Sequence, residues 1–211
     1  VTDLASGNSL SAALSLVALA LVPLALMTLT SFAKIAVVLS ALRNALGAPD
    51  LPSGAVVTAV ALALSTYVMA PLAADIEQGL VGVSSKAEPT LSAALSAARE
   101  PLRAFLGKNA GKAEREMFVS LSKERGHPAQ GDELSLLWAS FALSELKQAF
   151  YLGFFVYLPF LVLDLVIANA LFALGLVGLS AQSVALPFKL LLFVTVDGFV
   201  LVSRALVLSY K

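Results

Sequence analysis

"LPFLVLDLVIANALFAL", residues 158 to 174, is long and apolar enough for a helix in lipid and carries one carboxylate, Asp164, near its middle. A charged side chain at that depth costs about 2.5 to 3.5 kcal/mol on insertion scales, so a chain that keeps one there must pair or enclose it. Outward from this stretch, the 211 residues are 59% hydrophobic and only 13% charged. Soluble domains average about a quarter charged, so this is the composition of a membrane protein.

Four stretches reach the roughly 20 apolar residues that cross a bilayer: 10–32, 52–74, 152–174 and 184–208. Most of the charge falls between Val81 and Phe150. The expected fold is therefore an all-α membrane protein with four long hydrophobic helices arranged as two hairpins, and a helical polar insert between the second and third. The corresponding units are 1–79, 80–150 and 151–211. Leu10 to Phe32 reads as a retained span, because the run before it carries only Asp3 and lacks a basic n-region.

The first connection contains Lys34, Arg43 and Asp50 and ends in "GAPDLPSG", whose glycines and prolines turn the chain. As a loop with a net positive charge it belongs on the cytoplasmic side, which puts residues 80–150 and both termini on the outer side. In that insert, Thr90 is placed to cap a helix with Leu91, Leu95, Ala98, Leu102 and Phe105 at helical spacing, bent or restarted at Pro101. A second amphipathic stretch, Ala113 to Arg125, sets Met117, Phe118 and Leu121 on one side, and a third runs from Glu133 into the third span.

Chemistry of the enzymatic kind finds few residues. There is no cysteine and a single histidine, His127, in a turn between Gly126 and Pro128. A metal site needs three or four converging ligands, and Asp132 with Glu133 reads as solvated loop. No nucleophile elbow, phosphate loop or zinc-binding histidine pair occurs. A formal net charge of zero leaves no basic footprint for nucleic acid. The reading is no catalytic, cofactor or metal site.

The unusual groups are those within the spans: Asp164, Asn169, Lys189, Asp197 and Arg204. On one continuous helix Lys189, Asp197 and Arg204 fall within about 80° of each other. A hairpin turning near Leu179 to Ser183 sets Asp164 level with Asp197 and about 9 Å in height from Arg204, which makes Arg204 the expected cation for both carboxylates. Three roles compete for these groups: a proton or ion relay through Asp164, Lys189 and Asp197, paired polar groups that fix helix packing, and snorkelling near the span ends.

Several blocks together resemble one family: "TSFAKIAVVLSALRNALG" (30–47), "YVMAPL" (67–72), "SELKQAFYLGFFVYLPFLVLDLVIANALFALG" (144–175) and "LPFKLLLFVTVDG" (186–198). They are similar to the FliP/SctR family of type III secretion export-apparatus proteins, and "LSTYVMAP", "YLPF" and "LVLSYK" look more like its injectisome members. The resemblance implies a core subunit of the export gate in the bacterial inner membrane, through which unfolded proteins leave the cytoplasm. It implies a homo-oligomeric ring, a pentamer in relatives, with FliQ/SctS-like and FliR/SctT-like subunits and FlhB/SctU-like and FlhA/SctV-like proteins nearby. Many relatives carry methionines after "ALG" as a soft gasket around the pore, where this chain has Leu176, Val177, Gly178 and Leu179. Between neighbouring subunits Asp164 and the other polar groups of the spans would meet protein in place of lipid and act as assembly residues. An independent ion or proton transporter is the alternative.

Overall fold

The computed structural model describes residues 16–17, 20, 23–24, 27–48, 52–84, 91–126, 128, 131, 133–176 and 178–210. Most of the expected first span, together with Thr90, His127, Asp132 and Val177, lies outside them. Among the described residues there is no strand; residues 16–17, 20, 23–24 and 27–29 are helical, and after them come α1 Phe32–Leu46, α2 Gly54–Ser84, α3 Leu91–Asn109, α4 Lys112–Glu124, α5 Leu134–Ala173, α6 Ala181–Thr195 and α7 Gly198–Leu208. α2 over Gly54–Val81 and α5 are each long and apolar enough to cross a membrane, and α6 with α7 makes a third candidate if the bent pair counts as one span. The chain is thus an all-helical membrane protein.

α1 is the first departure from expectation. The connection between the first two spans is not a polar loop but a helix at the centre of the core, with Ile35, Val38, Leu39, Leu42 and Leu46 buried. These recur at i, i+3, i+4, i+7 and i+11, an apolar stripe of helical period. The stripe packs chiefly on α5 and α2. Gly47, at φ 79°, closes the helix and returns its N–H to the Asn44 carbonyl at 3.1 Å, a conformation that costs glycine little.

α5 has 40 residues, about 60 Å of helix and roughly twice the thickness of a bilayer's hydrocarbon core. The third amphipathic stretch and the third span are therefore one uninterrupted helix, as the pattern from Glu133 onward predicts. The N-terminal part carries the insert. Leu137 and Phe141 pack with Leu106 and Ala110, and the Phe105 and Phe141 rings meet edge to face at 5.6 Å. α3 continues through Pro101 without a break.

The fourth span is a second correction. It is two helices, α6 and α7, bent by 60° at Val196 and Asp197. Asp197 sits in the left-handed region at φ 50°, ψ 48°, where α6 cannot continue. At Gly198 a Cβ would overlap the Phe193 ring, and that ring in turn packs edge to face on Phe199 at 4.7 Å. The "VDG" sequence thus combines a residue type that tolerates αL with one that lets an aromatic ring close over the backbone.

Candidate functional site

Lys189 lies two residues past Pro187 on α6 and points inward, its side chain 3% exposed. Its ammonium is 2.7 Å from Asp164 Oδ2 on α5 and donates to the Ala45 carbonyl at 3.1 Å. Ala45 belongs to the last turn of α1, where carbonyls have no partner within the helix, so one cation ties together α1, α5 and α6. Asp164 Oδ1 is buried without a hydrogen-bond partner, although the side chain as a whole is 29% exposed.

The cation of Asp164 is therefore Lys189 and not Arg204. The helical projection assumed one straight helix, and the 60° bend at Asp197 separates Lys189 from Arg204. Asp197 and Arg204 are exposed, and among the described residues neither forms an ion pair. Asn169 is exposed as well and donates to the Leu165 carbonyl one turn back at 2.9 Å.

The α5–α6 turn carries the expected gasket residues. Gly175, at φ 73°, sends its N–H to Phe172 O at 3.0 Å, and Leu176 N–H reaches Leu171 O at 2.9 Å. This is the double hydrogen bond of a helix ending in a left-handed glycine. Leu176, Gly178 and Leu179 are exposed, and nothing stands within 4 Å of a Cβ placed at Gly178. Ser180 starts α6, its Oγ accepting from Ser183 N–H at 3.4 Å.

A second buried network was missed in the sequence. Lys34 Nζ lies 2.9 Å from Glu145 Oε1 and 3.0 Å from Gln148 Oε1, and 3.7 Å from the centre of the Tyr210 ring. The Tyr210 hydroxyl donates to Glu145 Oε2 and also to the Ser31 carbonyl at 3.4 Å. Ser31 and Ser65 share a hydroxyl contact of 3.0 Å. These residues bind α1, α2, α5 and the segment after α7 around one enclosed charge pair. The available signal was the apolar stripe that starts directly after Lys34, which marks a helix and not a loop.

The insert is held to α5 by a third pair, Lys147 Nζ on Glu114 Oε1 at 2.8 Å. This hydrogen bond keeps the Glu114 carboxyl below the usual carboxylate range. The remaining surface of α5 is heavily apolar, with Phe150, Tyr151, Phe154, Phe155, Val162, Leu165 and Val166 all exposed. A flank of that extent needs lipid or protein against it.

The profile of the FliP family matches residues 15–206 of this chain. The chain belongs to the FliP family. This FliP-family chain is 41% identical over 204 residues to the hypersensitivity response secretion protein HrcR of Ralstonia nicotianae, across 92% of the chain and 94% of the relative. It is 39% identical to the Yop proteins translocation protein R of Yersinia pestis, across 91% and 92%. With the flagellar biosynthetic protein FliP of Pectobacterium carotovorum the identity is 37%, across 92% and 76%. FliP-family proteins are structural components of export apparatus and not enzymes, so this membrane chain has a secretion-apparatus role.

Proposed function

We propose that the chain is a core subunit of the export gate of a type III secretion system, forming with like copies and partner subunits a gated pore for unfolded proteins across the bacterial inner membrane. The observation that carries this reading is similarity to secretion and translocation proteins over nearly the full length of both chains. The ring is a pentamer by family resemblance. Its neighbours are FliQ/SctS-like and FliR/SctT-like subunits, with FlhB/SctU-like and FlhA/SctV-like proteins beside them, and the polar insert faces the periplasm.

In this reading the α5–α6 turn is the seal. Leu176, Val177 and Leu179 from each copy supply apolar side chains to a constriction that excludes water and ions, and Gly178 lets the turn yield to a passing chain. The exposure of Leu176 and Leu179 supports this role, since an apolar turn left outside the chain's own core is available to a pore axis. Gly175 is accounted for by the end of α5 alone. The polar groups of the spans serve assembly: Lys189 and Asp164 hold α5 and α6 at a fixed height, and Asn169, Asp197 and Arg204 are exposed to meet neighbours.

Conductance of the purified assembly in a planar bilayer tests the seal. Leu176→Met with Val177→Met is expected to stay ion-tight and Val177→Gly to leak. An ion-tight Val177→Gly assembly of confirmed composition places the seal on another subunit.

A further inference from the structure

We propose that α7 is a strap, hinged at Asp197 and latched at Tyr210, that stands off α5 in this structure and closes onto it when the latch is released. α7 runs back along α5: Gly198 at its start lies against the Phe193 ring, which packs on Phe160, and Tyr210 beyond its end reaches Glu145. Val202 and Leu206 rest in the core with Val38 and Leu42 of α1. One step round the helix, Leu201 and Ala205 instead line an apolar cleft of about 290 Å³, whose opposite wall is Leu152, Phe155, Val156 and Pro159 of α5.

Each end of the strap has what a two-position element needs. Asp197 takes the left-handed conformation at φ 50°, ψ 48°, and its side chain makes no capping hydrogen bond to α7. A backbone position that costs an L-residue energy is thus left without local compensation. At the far end the Tyr210 hydroxyl donates to Glu145 Oε2 and also to Ser31 O, and its ring covers the Lys34 ammonium at 3.7 Å. Between the two ends apolar surface stays open, with Leu201 61% and Phe155 63% exposed. Closure buries these side chains and frees Asp197 from the left-handed region, at the loss of the Tyr210 hydrogen bonds. The two positions differ in named contacts, so a change at the latch shifts the balance between them, and the backbone change is confined to a few residues at the bend, as in other hinges.

The chain contains no cysteine, so a single introduced thiol reports on the cleft without background. The test is the rate of maleimide labelling of the full-length protein in detergent, at Ala205→Cys in the cleft wall and at Val200→Cys, which is exposed on the same helix and does not line the cleft. Tyr210→Phe keeps a ring over Lys34 and removes the hydroxyl. It is expected to slow labelling at Ala205→Cys about fivefold, as a closed state populated at about 80% does, and to leave Val200→Cys unchanged. Asp197→Ala makes the left-handed conformation costlier without touching the latch and is expected to slow Ala205→Cys as well, whereas Asp197→Gly, at ease there, is expected to label like wild type. The two Asp197 variants carry the test where Tyr210→Phe fails to fold. Unchanged or faster labelling at Ala205→Cys in a folded Tyr210→Phe or Asp197→Ala protein overturns the proposal. Equal slowing at Val200→Cys also overturns it, because the surroundings of the whole helix would then have changed and not its distance from α5.

Discussion

Lys34 and Glu145 stand 111 positions apart in the chain and 2.9 Å apart in space, with both side chains almost fully enclosed. Such a pair is bought at a desolvation cost that only close geometry and further hydrogen bonds offset. Gln148 and the Tyr210 ring complete the surroundings of the ammonium, and the Tyr210 hydroxyl those of the carboxylate. Removing one partner leaves an uncompensated buried charge, at about 3 to 5 kcal/mol. Lys34→Met is therefore expected to lower the thermal midpoint of the detergent-solubilised protein sharply. Lys34→Met with Glu145→Leu is expected to recover at least half of that loss, and a double variant no better than the single one would show that packing, not charge, sets the cost.

The Lys189–Asp164 pair and Arg204 are expected to behave differently on substitution. Asp164→Leu leaves Lys189 enclosed with Ala45 O as its remaining acceptor, whereas Arg204 is exposed and makes no ion pair among the described residues. Thermal melts of the single chain should show Asp164→Leu destabilised by on the order of 2 to 4 kcal/mol and Arg204→Ala within about 0.5 kcal/mol of wild type. Equal losses would mean that Arg204 has a partner in the chain.

At the bend, Gly198→Ala forces the Phe193 ring out of its place between Phe160 and Phe199. Overpacking of this kind costs about 1 to 3 kcal/mol. Asp197→Gly keeps the left-handed backbone and is expected to change stability by less than about 1 kcal/mol. Denaturant midpoints of the two variants distinguish these outcomes, and an unaffected Gly198→Ala would put the ring elsewhere.

The contact between Glu114 and Lys147 sets a pH dependence. Because Lys147 holds the folded-state pKa of Glu114 below its unfolded value, the stabilisation is fully present above the unfolded value, about 4.3, and is lost as pH falls through the folded one. Protease cleavage within α4 is expected to rise over that acid interval in wild type and to be less dependent on pH in Glu114→Gln. Identical acid profiles for the two proteins would contradict this contribution.

Much of the fold was legible because lipid imposes a strong rule: apolar length marks α2 and α5, and the pattern from Glu133 predicted the single long helix that joins the insert to a span. Asp164 stood out for the same reason. What the pattern could not supply was the partner of each charge. Lys34 was read as one charge of the loop joining the first two spans, and its partner lies in a distant helix. Arg204 was assigned to Asp164 through a projection that holds only for a straight helix, and the Asp-Gly pair at 197–198, a turn signal in its own right, was the warning against it.

The central claim is that this FliP-family chain works as one of several copies in a larger export assembly, and native mass measurement of the detergent-extracted protein tests it most directly. Extracted alone and then together with FliQ/SctS-like and FliR/SctT-like subunits, the protein is predicted to give a discrete multimer that gains mass with those partners. A monomer whose mass stays the same in their presence would contradict the account.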